Sequence, residues 1–252
     1  MSDQPSPISA PTPGSAAAPE APPANARWAV IVTGGCPLAS GAVQHAPPGA
    51  FVIAADSGLE RMVEAGLRPD LVVGDLDSVS PAGVAWAREH RVPIEVHPTD
   101  KDLTDTQIAL EAASVRQYDH VLLLSGGGDR LDHSIGAIVA LGHPSLGTCR
   151  AVRAIWGTAR NHVLHAPGYW EIPIETGATF SLLALHGACE RITLAGARWP
   201  LADATLEPAS TRGISNVAVE PTLRLTLGSG VLTLVIPDAL TPAPHPSNGA
   251  PA

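Results

Sequence analysis

Cysteine is scarce in this chain, and long apolar runs are missing altogether. The three cysteines, Cys36, Cys149 and Cys189, stand far apart with no CxxC spacing. That scatter excludes a disulfide framework or a zinc site of paired thiols, and buried, reduced thiols are the expectation. The longest apolar runs, such as Val121–Leu124 and Val231–Ile236, have strand length. None approaches the ~20 residues a membrane-crossing helix needs, so no membrane partner is expected. The first residues also lack the charged start and apolar centre of a secretory signal, which gives the cytoplasm as the expected address.

Basic charge is in short supply as well. Lys and Arg number 15 against 24 Asp and Glu, a formal net charge of −9. A broad grip on nucleic acid needs clustered cations, so none is expected. A phosphorylated small molecule remains possible if a divalent cation sits between it and the acidic protein. The chain has no GxxxxGK[ST] loop and no clean GxGxxG, so neither standard nucleotide fingerprint applies. No Ser/His/Asp or Cys/His arrangement stands in its usual local context, and the histidines lack metal-ligand spacing. There is no internal repeat.

What is present is enough apolar residue, 45% of 252, to build one large domain or two small ones. Residues 1–26 are rich in Pro, Ala and Ser, and residues 238–252 are rich in Pro. Both read as disordered tails, because they cannot bury enough surface to offset their ordering entropy. From residue 27 to 162 apolar strands alternate with helices. The strands are Trp28–Thr33, Phe51–Ala54, Leu71–Gly74, Ile94–His97, Val121–Leu124 and Ala151–Ile155; the helices are Leu59–Ala65, Ala82–His90, Asp105–Gln117 and Ser134–Leu141. Continuous apolar strands with helices between them predict an α/β domain, its mostly parallel sheet covered on both faces. From 163 to 237 short segments follow at about 8–12-residue spacing, which predicts an antiparallel β-sandwich or small barrel. They are Tyr169–Ile172, Thr179–Leu185, Arg191–Leu194, Ser215–Val219, Leu223–Leu227 and Val231–Ile236.

The aspartates fall at the carboxyl ends of the predicted strands, where open parallel sheets bind ligands. Asp56 follows the second strand, Asp75 and Asp77 the third, Asp100, Asp102 and Asp105 the fourth, and Asp129 and Asp132 the fifth. In Gly74-Asp75-Leu76-Asp77-Ser78 an extended backbone would point both carboxylates the same way. Such a pair repels itself unless a cation or proton intervenes, and magnesium favours oxygen ligands of this kind. A polar turn after a strand would use the same residues. In Asp100-Lys101-Asp102-Leu103-Thr104-Asp105-Thr106-Gln107, a capping box accounts for Thr104 and Gln107, and the helix dipole accounts for Asp105. Asp100 and Asp102 flanking Lys101 are left over, a plausible meeting point of metal and phosphate. In Ser125-Gly126-Gly127-Gly128-Asp129-Arg130-Leu131-Asp132-His133, glycines let backbone approach a ligand, the helix start favours anions, and Arg130 can grip phosphate with both arms. His133 reads as structural or solvent-facing rather than as a general base.

In this order, these segments resemble the thiamine pyrophosphokinase family. The matching stretches are Ala55-Asp56-Ser57-Gly58, Gly74 to Ser78, Asp100 to Asp105 and Arg130-Leu131-Asp132-His133; Gly196 to Leu201 and Gly213-Ile214-Ser215-Asn216 match in the second half. The resemblance spans roughly residues 28 to 237. It implies an N-terminal α/β catalytic domain, a C-terminal β-sandwich, and a homodimer with thiamine between subunits. It implies transfer of diphosphate from ATP to thiamine with Mg2+, releasing AMP. Carried over by position, Asp75, Asp77 and Asp102 hold magnesium, with Asp105 and Asp56 beside them. Lys101, Thr104, Arg130 and Asp132 meet the nucleotide and its phosphates, and Ser215, Asn216 and Trp199 contact thiamine. The chain departs from the family pattern at Ser57 and Asp129, where glycines are usual. The rival readings are a pyrophosphokinase for another small alcohol, such as a pterin, and a non-catalytic thiamine-binding protein.

Overall fold

The computed structural model describes residues 26–100, 102–128 and 130–240. Lys101, Asp129 and most of both expected tails lie outside the described residues. In chain order the first part runs β1 (Trp28–Thr33), β2 (Phe51–Ala55), α1 (Gly58–Glu64), β3 (Leu71–Gly74), α2 (Pro81–Glu89), β4 (Ile94–Val96), α3 (Asp105–Val115), β5 (His120–Ser125), α4 (Leu131–Ala140) and β6 (Ala151–Trp156). These six strands lie parallel in the order β4-β3-β2-β1-β5-β6. The chain therefore moves outward from β1 to β4 and returns to the other side of β1 as β5.

Side-chain alternation explains the layers. Ala29, Ile31, Ile53, Val73, Val121 and Leu123 face one way and pack on Ala109, Leu110 and Ala113 of α3 and Ala140 of α4. Val30, Val32, Ala54, Val72, Leu122 and Leu124 face the other way and pack on Leu59 and Met62 of α1 and Ala87 of α2. Strands buried on both faces need apolar residues at every position, which is why they were legible as continuous runs. Each fully buried Leu or Ile contributes roughly 1.5–3 kcal/mol.

The second part contains β7 (Ala159–His165), β8 (Gly168–Pro173), β9 (Thr179–Leu183), β10 (Cys189–Ala195), β11 (Leu201–Leu206), β12 (Asn216–Val217), β13 (Thr222–Leu227) and β14 (Val231–Ile236). Here the sheet does not break. β7 returns antiparallel to β6 through the turn at Gly157 and Thr158, and β14, β9 and β12 extend the same sheet to ten strands. A separate four-stranded antiparallel sheet has the order β11-β10-β13-β8. Its Ile172, Ile192, Leu194 and Leu225 share one core with Leu164, Phe180, Leu182 and Leu234 of the long sheet.

The expected division between residues 162 and 163 falls inside β7. That strand escaped the sequence reading because Arg160 and His162 interrupt its apolar pattern. β11 escaped it because it is an edge strand with exposed Ala202 and Asp203. The expected strand at Ser215–Val219 shrinks to two residues, since Ser215 has a left-handed φ of 60°. Residues 237–240 form a turn rather than the start of a tail: the Leu240 N–H donates to Thr158 O at 3.1 Å. All three cysteines are free, but only Cys189 is buried: Cys149 is half-buried, and Cys36, on the loop after β1, is exposed. Among the described residues, no helix is long and apolar enough to cross a membrane.

Candidate active site

The strand order reverses at β1, so the loops leaving β1 and β5 diverge above the sheet and open a crevice between them. Backbone fills the floor of that crevice. The Cys36 N–H donates to Gly127 O at 2.9 Å. A Cβ on Gly126 would lie 2.1 Å from Cys36 O, and one on Gly35, whose φ is 99°, would lie 2.3 Å from Gly127 O. Only glycine lets these loops interlock so closely. The resulting cavity, about 610 Å³, is walled by the ends of β1, β2, β3, β5 and β6 and by the starts of α3 and α4. That is an ordinary size for a small-molecule site.

Asp56, Asp75 and Asp77 converge on this cavity, one carboxylate oxygen of each lying within 4.8 Å of the other two. Asp56 ends β2 with a left-handed φ of 49° and is 7% exposed. Its Oδ1 is buried and accepts no hydrogen bond. Burial raises its pKa above the usual carboxylate range, and the charges of Asp105 and Asp75 push the same way; the Ser78 hydroxyl and the Ser57 backbone N–H oppose them. Gly74 makes room for this crowding: a Cβ there would stand 3.0 Å from Asp56 Cβ and 3.2 Å from Asp105 Oδ1.

Asp75 and Asp77 meet, but not for the reason the sequence suggested. The backbone between them is not extended: Leu76 has a φ of 64°. For a leucine that conformation costs about 1–3 kcal/mol, and such strain collects at functional sites. The turn is held by Asp77 N–H donating to Asp75 Oδ1 at 3.2 Å and by the Ser78 hydroxyl donating to Asp77 Oδ1 at 2.9 Å.

Of the expected set Asp75, Asp77 and Asp102, the first two converge with Asp56, while Asp102 is exposed on the turn before α3, outside the cavity lining. Asp105 and Thr104 do line the cavity. Thr104 caps α3, its hydroxyl accepting from Gln107 N–H at 3.3 Å, but the reciprocal half of the capping box is not made. Gln107 instead donates its amide to Glu111 at 3.0 Å. Arg130 precedes α4 and lines the cavity. Its guanidinium grips Asp132 with both arms, Nε to Oδ1 at 3.2 Å and Nη2 to Oδ2 at 2.6 Å. The Arg130 hydrogen bond holds the Asp132 carboxyl down at about 2. Asp132 itself does not line the cavity. His133 does, from the first turn of α4.

Sequence reasoning missed Thr33 at the end of β1, Gly34 and Gly35 after it, and Trp156 at the end of β6. The Gly34-Gly35 pair after an apolar strand was a usable signal. Nothing marked Trp156 until β6 was known to lie beside β5.

The three expected thiamine residues form a second cluster, outside that cavity's lining. Trp199 is 55% exposed, with the Arg198 guanidinium 5.1 Å above its ring. Ser215 is exposed, and its N–H donates to Ser181 Oγ at 3.1 Å. Asn216 is buried, its amide committed to backbone: Nδ2 donates to Trp199 O, and Oδ1 accepts from the N–H groups of Trp199 and Val217.

Two family models match the chain. The family model for "Thiamin pyrophosphokinase, catalytic domain" matches residues 46–152, and that for "Thiamin pyrophosphokinase, vitamin B1 binding domain" matches residues 162–232. A thiamine pyrophosphokinase of Bacillus subtilis (strain 168) is 26% identical over 185 residues, covering 73% of this chain and 85% of that protein. The crystal structure of thiamine pyrophosphokinase from Bacillus subtilis superimposes with a TM-score of 0.72 at 23% identity, covering 83% of this chain and 98% of that one. The thiamin pyrophosphokinase from Candida albicans gives 0.70 at 13% identity, with 82% and 89% covered. At these identities the two structures speak for the fold alone.

Proposed function

The chain belongs to the thiamin pyrophosphokinase family, and on that premise we propose which of its residues carry the transfer of a diphosphate group from ATP to thiamine. The activity itself is the family's, and AMP is the second product. The observation that carries the residue assignment is the convergence of Asp56, Asp75 and Asp77 on one cavity. Three carboxylates so close repel one another in the absence of a cation. Their all-oxygen donor set and the bare, buried Oδ1 of Asp56 suit Mg2+. Bound there, the ion would supply charge neutralisation to the phosphate oxygens and the leaving group.

The protein's own part is alignment. Asp56, Asp75 and Asp77 hold the metal, and Asp105 supports them from the start of α3. Asp102 serves from the turn before α3; Lys101, expected to meet the nucleotide phosphates, lies outside the described residues. Thr104 and Arg130 meet the phosphates, and Asp132 holds the Arg130 fork beside the cavity until phosphate competes for it. Ser215 and Trp199 contact thiamine, while Asn216 fixes the loop that presents the tryptophan.

Because the thiamine cluster does not line the ATP cavity, the complete site is formed in a homodimer, the cluster of one subunit facing the cavity of the other. Exposed Leu131, Ile135 and Val139 form one stripe along α4, beginning next to Arg130, and a partner surface would cover it. The second part of the chain, residues 163–237, is read as a sandwich on the strength of the core its two sheets share. The reaction belongs in the cytoplasm, with its ATP. AMP release measured with thiamine, without it, with a pterin alcohol and with EDTA tests the reading. Release should require thiamine and stop with EDTA; release with the pterin but not with thiamine would overturn it.

A further inference from the structure

One face of the long sheet carries a group of basic side chains that diphosphate transfer does not use. In the β6–β7 hairpin Arg153 stands opposite His162, so the two share a face, and Arg160 lies two residues before His162 on that same face. Next to them, His120 begins β5 and stacks on Trp28 at 4.5 Å, and the Arg153 guanidinium lies 5.6 Å from the centre of that tryptophan ring. His45, from the short 3₁₀ turn Ala42–His45, is held below its usual pKa by burial and then by the charges of the same two arginines.

This group lacks partners. Arg153 makes no ion pair or hydrogen bond among the described residues. Arg160 donates Nη2 to Pro173 O at 3.0 Å, but its Nε is buried without an acceptor. Both ring nitrogens of His120 and Nε2 of His162 are buried and unpartnered as well, and His162 is only 9% exposed. Among the described residues, the one carboxylate whose charge reaches any member is Asp119, beside His120. Burial, then the charges of Arg153 and Arg160, hold His162 down at about 3, so it is neutral at pH 7. Arg153 is exposed and Arg160 half-buried, so an anion from solvent can reach both guanidinium groups on the face where Nε2 of His162 lacks a partner.

We propose that Arg153, Arg160 and His162 form a binding site for a small phosphate-class anion, separate from the diphosphate-transfer cavity. None of the three lines that cavity. Guanidinium forks match tetrahedral oxyanions, and a neutral imidazole adds one N–H donor. The chain's net charge of −9 disfavours an extended polyanion, so the ligand is compact: orthophosphate, or the terminal phosphate of a small metabolite.

The test uses the full chain in EDTA, where the carboxylate cavity repels phosphate. Orthophosphate and inorganic diphosphate are titrated separately by calorimetry, and the imidazole signals of His120 and His162 are followed by NMR. Wild type and Asp75→Asn should bind alike, with both imidazole signals moving, while Arg153→Gln should bind at least about tenfold more weakly. Tighter binding of orthophosphate identifies a single phosphate group as the ligand, and tighter binding of diphosphate a linked pair. Arg153 bonds no backbone group, so this variant keeps the test sound even if Arg160→Gln fails to fold. Equal affinity in wild type and Arg153→Gln, or no binding by wild type at millimolar anion, would overturn the proposal.

Discussion

The side-chain amide of Asn216 brackets the backbone of Trp199, donating to its carbonyl at 2.8 Å and accepting from its N–H at 3.2 Å. An exposed tryptophan is thereby fixed by a buried residue 17 positions away. Asn216→Ala removes both bonds and strands buried backbone groups, at a cost of about 1–3 kcal/mol. Its melting temperature should fall, and its KM for thiamine should rise while its KM for ATP holds. Trp199→Ala should raise the thiamine KM without loss of stability, because that ring packs on the surface. Steady-state kinetics and thermal unfolding of both variants check this.

Asp75→Asn and Asp77→Asn should each lose at least about 100-fold in kcat, since the divalent ion proposed for this site would be worth several kcal/mol to the transition state. Neither should unfold the protein, because each relieves repulsion within the carboxylate group. Asp102→Asn, exposed and outside the cavity, should lose far less. Turnover numbers for the three variants, set beside their unfolding curves, decide the matter.

Stability should fall in mild acid because of His162. Its folded pKa is about 3, against 6.5 for the free side chain, and burial is the chief cause. Above pH 6.5 both states leave it neutral, and its full contribution is present. As pH falls from 6.5 towards about 3, the unfolded chain takes up a proton that the folded chain refuses, so the contribution drains away. Urea midpoints measured between pH 7 and about pH 4 should decline. His162→Gln should flatten that slope.

Gly58 bears on the start of α1. A Cβ there would lie 2.0 Å from Val32 O, which is backbone and cannot swing aside. Gly58→Ala should therefore cost about 1–3 kcal/mol through overpacking, and it should disturb Asp56 two residues earlier. A lowered melting temperature together with a reduced kcat is the expected pair of readings.

The central strands and the rim of aspartates were legible because both follow simple rules. Strands buried on two faces read as unbroken apolar runs, and a parallel sheet offers ligands the carboxyl ends of its strands. Where the reading failed, the missing information was three-dimensional. Arg160 and His162 disguised β7 because they share a sheet face with Arg153 of β6 and lie near His120 of β5, a grouping that linear sequence does not show. The convergence of Asp56 with Asp75 and Asp77 was not legible in linear spacing, because it depends on β2 and β3 lying side by side and on the room left by Gly74. The turn at Leu76 was invisible as well, since no residue preference announces a leucine in the left-handed region. Nor could spacing show that the amide of Asn216, expected to contact thiamine, bonds the backbone of Trp199 and Val217.

The central claim concerns where the divalent ion sits. Calorimetric titration of Mg2+ into the full chain, with a non-hydrolysable ATP analogue present, measures it directly for wild type, Asp56→Asn, Asp75→Asn and Asp102→Asn. The account predicts that Asp56→Asn and Asp75→Asn abolish tight Mg2+ binding and that Asp102→Asn preserves it. Wild-type affinity in Asp56→Asn and Asp75→Asn would contradict it.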